Sequence, residues 1–508
     1  MAMTVDQLPD DPDALKAMVL ARDFENARLI QIIKELQRHR FGRRAETLPE
    51  DQLLLGLEEA EQIEAAGEEE KEQSAPDRRA KATKRRANRG ALPAHLPRVE
   101  MVIDIEDHAC PCCRNGLHRI GEDVSERLDI VPAQLRVIVR RPKYACRACE
   151  DVVVQASAPA RLIEGGLPTE ATVAQVLVSK YADHLPLYCQ AQIYARQGIN
   201  LDRSTLADWV GRAAWHLRPV HERLLARLKT SPKLFADETT APVLDPGRGR
   251  TKTGQLWAYA RDDRPWDGTD PPGVAYVYAP DRKAERPIAH LAGFAGILQV
   301  DGYGGYRVLA DKSGATLAFC WAHVRRRFYE IAVSGPAPIA SEALTRIAEL
   351  YRIEDDIRRR PADERRTLRQ EKSRPIVADL EPWLRQKLGL ISQKTKLAEA
   401  IRYTLSRWQG LTRFLDDGRI AIDSNVVERS IRPIALNRKN ALFAGSDAGA
   451  EHWAVIASLI ETCKLNGVEP LGYIADVLTR IVNGHLNSRI DDLLPWAYIT
   501  APELKAVA

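Results

Sequence analysis

The sequence predicts a multidomain α+β protein. Three observations lead there: two Cys-x-x-Cys pairs in one short stretch, a strand-rich segment at 233–322 broken by short helical pieces, and charged helical patterns on both sides of it. At 508 residues the chain is too long for one hydrophobic core. Its 45% hydrophobic and 28% charged residues are those of an ordinary globular protein. A net charge of +4 is too small to assign a partner, so local charge has to decide. No apolar run approaches the roughly 18 residues of a membrane span. The acidic N-terminal stretch lacks the apolar centre of a secretory signal. The expectation is a bacterial-type cytoplasm with no membrane partner.

Residues 1–46 read as a zipper-like coiled-coil helix. Leu15, Leu29 and Leu36 fall at d positions, with Val19, Asn26 and Ile33 at a. An Asn at a fixes register in parallel dimers, so a homodimer is expected, although Arg22 at d weakens the seam. Residues 47–97 are Glu-rich at 58–72 and carry seven Lys and Arg at 78–89. With few large apolar groups they read as a disordered acidic and basic linker. Its basic arm either grips phosphates without sequence preference or is a solvated tether.

Residues 98–165 hold Cys110-Pro-Cys-Cys113 and Cys146-Arg-Ala-Cys149. Thiolates at i and i+3 on a tight turn converge on one ion, and two such turns complete a tetrahedron. Cys110, Cys113, Cys146 and Cys149 are therefore expected to bind structural Zn²⁺ in a zinc-ribbon-like module, with Cys112 an adjacent spare. The alternating run from Leu135 to Arg140 suggests a hairpin between the pairs. A closed four-ligand shell leaves no position for catalysis.

Residues 166–230 read as helices at 172–183 and 186–197, with Gly198 ending the second and Asp202 or Arg203 starting a third. Two helices joined by a short Gly-containing turn fit a helix-turn-helix-like DNA-binding domain. Arg203, Ser204 and Thr205 would form its recognition tip.

The segment 231–334 reads as three strands, then strand, helix and strand. Leu234-Phe-Ala-Asp237 and Gly296-Ile-Leu-Gln-Val-Asp301 are apolar runs that end in a carboxylate. This order matches a ribonuclease H-like sheet, in which the first and fourth strands are parallel neighbours. Asp237 and Asp301 would then meet, while strand alternation turns Glu238 to the other face. Neighbouring carboxylates repel unless a cation joins them, and hard oxygen ligands suit Mg²⁺, with Mn²⁺ the alternative. Two such ions about 3.5–4 Å apart can activate a nucleophile and stabilise a leaving oxygen. A third carboxylate is expected from a helix beginning at Asp423-Ser-Asn-Val-Val-Glu428. Asp423 or Ser424 would cap that helix. Asp417, Asp423 and Glu461 are rivals for Glu428, and an ion pair with Arg432 is the competing role for it. Residues 335–415 read as a helical insertion, 416–465 as the second part of the catalytic core, and 466–508 as a C-terminal helical region.

These stretches together resemble transposases of the insertion-sequence-66 type, in the DDE class. The resemblance rests on Phe41-Gly-Arg-Arg44, the two cysteine pairs, Asp183-His-Leu-Pro-Leu-Tyr188 and Ala236-Asp-Glu-Thr-Thr240. It also rests on Val300-Asp-Gly-Tyr-Gly-Gly-Tyr306, Cys320-Trp-Ala-His-Val-Arg-Arg-Arg-Phe328, Ser424–Pro433 and Arg438–Ser446. It runs from about residue 15 to 475 and implies a catalytic triad of Asp237, Asp301 and Glu428. It also implies DNA partners (element ends and target), divalent-metal cleavage followed by transfer of a 3′-hydroxyl strand, and small accessory proteins of the same element. His323, Arg325, Arg326, Arg429, Arg432, Arg438 and Lys439 are the further DNA-contact candidates. Two other readings stay open: a ribonuclease H-like nuclease or resolvase that cuts without joining, and a non-enzymatic zinc-containing DNA-binding regulator.

Overall fold

The computed structural model describes residues 100–127, 137–145, 153–245 and 250–498. The zipper-like helix, the basic arm, and Cys146 and Cys149 lie outside the described residues.

A small sheet comes first. β2 (His118–Arg127) and β3 (Val137–Ala145) form an antiparallel pair. β1 (Glu100–Val102) runs parallel to β3, and β4 (Val153–Gln155) runs antiparallel to it. A buried ion pair between Arg127 and Glu170, 3.0 Å apart, fastens this sheet to helix α1 (Glu170–Tyr181). Removing either partner would strand a buried charge.

Three helices follow. Thr169 caps α1 by accepting from Thr172 N at 3.2 Å. α2 (Leu187–Arg196) stops before Gly198, whose φ of +78° a side chain would resist. α3 (Arg203–Lys229) is longer than a recognition helix needs to be. It is buried along its course from Leu206 to Leu228 and packs on the main sheet and the C-terminal helices. In its first turn Ser204 is exposed and Arg203 and Thr205 are half-buried, and further along Pro219, Glu222 and Arg227 are exposed.

The main sheet has the order β7-β6-β5-β8-β9. β5 (Lys233–Asp245), β6 (Arg250–Arg261) and β7 (Gly273–Ala279) are antiparallel. A short helix, α4 (Glu285–His290), leads to β8 (Ile297–Val300), and α5 (Gly304–Ser313) leads to β9 (Thr316–Phe319). β5, β8 and β9 are parallel. The first and fourth strands are thus the parallel neighbours that their order predicts.

One expectation needs correcting. β5 does not end at Asp237 but continues to Asp245, because β6 pairs with it all the way to Asp245↔Arg250. Its pairing with β8 stops at Phe235↔Gln299. Asp237 therefore sits mid-strand, at the point where the parallel partner leaves.

The β7 edge is covered by α13 (Asp447–Leu465). Tyr276 N donates to Ser458 Oγ at 2.8 Å and Val274 N to Thr462 Oγ1 at 3.1 Å. Side-chain hydroxyls thus satisfy edge amides that would otherwise template another strand. The last long helix is α14 (Pro470–Val482).

After β9, α6 (Trp321–Ala332) leads into the helical stretch: α7 (Pro338–Asp356), α8 (Ala362–Leu368), a π-helical turn at Arg369–Ser373, α9 (Arg374–Leu390), α10 (Lys396–Leu405) and α11 (Trp408–Thr412). Arg369 is fully buried at its centre, paired with Glu354 at 2.6 Å and donating to the carbonyls of Phe414 and Asp417. The chain then returns through 417–424 to α12 (Asn425–Ala441).

Candidate functional site

Continued two residues past its last pair, Phe235↔Gln299, the β5–β8 register would set Asp237 opposite Asp301, and the Asp301 charge does act on Asp237. Burial pushes the Asp237 carboxyl up to about 7, helped by the charges of Asp301, then Glu238, then Glu428. Arg282 offsets part of this charge through Glu238 and Asp301, and a divalent ion would offset more of it. Glu238 turns away, as alternation requires: it pairs with Arg282 and accepts from Tyr306 OH at 2.9 Å.

The helical insertion holds the Asp301 loop. Tyr403 OH donates to the Asp301 carbonyl at 2.8 Å, and Arg407 donates to the Gly302 carbonyl at 3.2 Å. Gly302 has φ +106°, and a Cβ there would meet Arg407 Nε at 2.5 Å. This position admits glycine on both counts.

Glu428 arrives from the other direction. The buried side chain of Gln299 donates to the carbonyls of Ala421 (2.7 Å) and Asp423 (2.9 Å) and accepts from Ala421 N (3.3 Å). Lys233 Nζ, also buried, donates to the Arg419 carbonyl at 2.8 Å, and burial lowers its pKa to about 7. Trp321 N donates to the Ile422 carbonyl at 3.0 Å. The returning chain is thus clamped against β5, β8 and α6 just before α12 begins. Asp423, rather than Ser424, supplies the side-chain cap, accepting from Asn425 N at 3.2 Å. Gln299 was invisible as a functional residue in the sequence. Its only signal is a polar residue inside an apolar strand, and its partners lie more than 120 residues away.

Glu428 stands in the first turn of α12, exposed. Among the described residues it makes no ion pair with Arg432. Its neighbour is the imidazole of His323, with Nδ1 3.9 Å from Oε1. Cys320 precedes α6, and its sulfur accepts from Ser424 N at 3.2 Å. Burial pushes the Cys320 thiol up to about 11. Cys320, His323 and Glu428 bring one ligand atom each to within 4.8 Å of the others, whereas Asp237, Asp301 and Glu428 are not drawn together that tightly. A two-ion arrangement spreads its ligands further than a one-ion site.

The basic candidates divide. Arg325, Arg326, Arg429, Arg432 and Lys439 are exposed; Arg325 and Arg326 line a cavity with Glu428, Arg429 and Arg432 follow it within about one turn of α12, and Lys439 lies about three turns further on. Arg438 is used inside the protein, donating to Thr239 Oγ1 at 3.2 Å and to the carbonyl and hydroxyl of Thr240. Arg203, Ser204 and Thr205 sit on the far side of the α2–α3 turn, at the open end of α3.

In the first module, Cys110 N donates to the Asn115 carbonyl at 2.7 Å and Arg114 N to the Cys110 carbonyl at 2.8 Å, which closes a tight turn around Cys110 and Cys113. His118, just after that turn, pairs with Ala145, the residue before the second cysteine pair. The donors present fit a thiolate zinc site. Among the described residues no helix is long and apolar enough to cross a membrane.

Comparison with known proteins agrees. The model of the Transposase IS66 family matches residues 165–452, and the IS66 C-terminal element matches 458–496. The zinc-finger binding domain of transposase IS66 matches 107–150, which spans the four expected ligands Cys110, Cys113, Cys146 and Cys149 and supports a structural zinc. A further model, Transposase C of IS166 homeodomain, matches 28–101. Two uncharacterized proteins of Sinorhizobium fredii, y4qI and y4jD, are each 46% identical, covering 98% of this chain and 99% and 98% of their own lengths. A third, y4hP, is 38% identical over 92% of this chain and 88% of its own. These matches imply a nucleic-acid-processing protein that uses DNA and divalent metal, and the chain belongs to the IS66 family of transposases.

Proposed function

We propose that the protein cuts DNA at the ends of its element and joins the freed 3′-hydroxyl strand to target DNA, using Asp237, Asp301 and Glu428 as a DDE triad. The observation that carries this reading is the parallel pairing of β5 with β8, whose register, continued two residues, would face Asp237 with Asp301 and so supports the pair. The clamp at 421–423 fixes the start of α12 against β8, which supports an approach of Glu428 to the pair. The strand order β7-β6-β5-β8-β9, antiparallel on one side of β5 and parallel on the other, supports a ribonuclease H-like core interrupted by an insertion at 335–415.

The three carboxylates are oxygen donors suited to two Mg²⁺ or Mn²⁺ ions, which supply activation of the attacking oxygen and stabilisation of the leaving one. The chain's own contribution is placement. Tyr403 and Arg407 fix the backbone that carries Asp301, and Gln299 fixes the approach of α12. Arg325, Arg326, Arg429 and Arg432 would hold phosphates across the exposed face. The zipper-like helix supports a homodimer that would hold two DNA ends. Accessory proteins of the same element and a cytoplasmic location belong to the same proposal.

The test is a strand-transfer assay with element-end DNA in Mg²⁺. Joined product supports the proposal. Cleavage without joining would identify a nuclease. DNA binding with neither reaction would identify a regulator.

A further inference from the structure

Cys320 and His323 lie one turn apart at the start of α6, so their side chains leave the same face and point to Glu428 on α12. Their ligand atoms and a Glu428 oxygen lie within 4.8 Å of one another, with His323 Nδ1 3.9 Å from Glu428 Oε1. Tetrahedral zinc with bonds of about 2.0–2.3 Å needs its ligands about 3.3–3.8 Å apart, so the three atoms stand within about 1.5 Å of that spacing. Nδ1 of His323 is buried and has no hydrogen-bond partner among the described residues. A cavity of about 230 Å³ opens in front of it, lined by Ala322, His323, Arg325, Arg326, Tyr329 and Glu428. That leaves a path from solvent and room for a water as fourth ligand.

We propose that Cys320, His323 and Glu428 form a second binding site for a zinc-class divalent ion, separate from the zinc-finger cysteines, and that filling it switches the transposase off. A sulfur, nitrogen and oxygen donor set selects zinc or cobalt over magnesium. A thiolate and a carboxylate together neutralise the ion, which the neighbouring Arg325 and Arg326 require. The amide of Ser424 already donates to the Cys320 sulfur, as second-layer donors do to metal-bound thiolates. On binding, the thiol proton passes to solvent. Glu428 is shared between this site and the carboxylate pair, so a soft ion held by Cys320 and His323 draws Glu428 away from Asp237 and Asp301. The inhibitory half of the inference rests on the DDE reading, and the binding half does not.

The experiment uses the full chain with its zinc finger loaded. Added Zn²⁺ is measured by equilibrium dialysis, and added Co²⁺ by its thiolate charge-transfer absorbance, both without Mg²⁺. The wild type is expected to take up an ion beyond the finger's own and to gain absorbance. Cys320→Ser, which keeps an acceptor for Ser424 N, and His323→Ala should each weaken that uptake about tenfold or more. Equal uptake by wild type and both variants would overturn the site. Strand transfer in Mg²⁺ is then followed as Zn²⁺ is added: the wild type should lose activity while Cys320→Ser retains it. Uptake with no differential inhibition would overturn the switch. Failure of the DDE reading shows separately, as strand transfer by Glu428→Gln.

Discussion

The side-chain amide of Gln299 donates to the carbonyl of Asp423 at 2.9 Å, joining β8 to a segment 124 residues further along the chain. The same side chain also makes two bonds to the backbone of Ala421. Gln299→Leu keeps the bulk and removes all three bonds, leaving buried backbone groups unpaired. The expected cost is about 1–3 kcal/mol in denaturant unfolding. Strand transfer should fall further than stability does, because α12 loses its anchor. Activity that merely tracks the folded fraction would show that Gln299 serves stability alone.

Glu428→Gln preserves size and removes charge. Folding and DNA affinity should stay near wild type, and cleavage and joining should be lost together. If Glu428 were a surface ion-pair partner, the change would cost at most about 1 kcal/mol and spare the chemistry. Substantial joining by this variant in Mg²⁺ would overturn the triad.

Asp237 gives a pH signature. Its folded pKa of about 7 lies above the unfolded value of about 3.9. The native state therefore binds more protons between those values, and stability from this group falls as pH rises through that window. In chelator, Asp237→Asn should melt above the wild type at pH about 8, and the difference should shrink near pH 5. Added Mg²⁺ should raise the wild-type melting temperature at the higher pH and leave the variant unmoved. A variant that melts lower at pH 8 contradicts the uncompensated charge.

The arginines of α12 should separate by role. Arg438→Ala loses bonds to Thr239 and Thr240 and should cost about 1–2 kcal/mol of stability. Arg429→Ala and Arg432→Ala should leave melting unchanged and weaken DNA binding. Each should reduce the slope of log affinity against log salt by about 0.9. A slope identical to wild type in the double variant would remove them from the interface.

The zinc module should depend on its second cysteine pair. Cys146→Ser should release zinc on metal analysis and unfold the β2–β3 region in hydrogen exchange. A purified wild type without zinc would exclude the assignment.

Local signals carried much of this fold into the sequence. The cysteine pairs, the strand order, and two carboxylates after apolar runs are patterns within a few residues of one another, and the strand order gave the parallel pairing of β5 with β8. The rest depended on partners far along the chain. β5 runs past Asp237 because β6 pairs with it, which the polar run Glu238-Thr239-Thr240 conceals. α3 reads as a helix after a turn, yet it runs for 27 residues and buries one face on the sheet and the C-terminal helices. Arg438 looks like one more surface cation until Thr239 and Thr240 are seen beneath it. Glu428 was legible as a carboxylate near a helix start. Its nearness to His323 was not, because it depends on the clamp at 421–424, which holds the start of α12 against α6.

The exit and return of the insertion have an evolutionary consequence. Trp321 N and the Ile422 carbonyl meet at 3.0 Å, so everything between them leaves and re-enters the core at a single point. The entropy of closing such an excursion grows only logarithmically with its length, about 0.6 kcal/mol per doubling. Helices can therefore be added to or trimmed from the outer end of this cassette at little thermodynamic cost. The segment that cannot vary freely is its inner wall, where Tyr403 and Arg407 hold the Asp301 loop. Relatives with longer or shorter insertions should keep that wall and differ at the periphery.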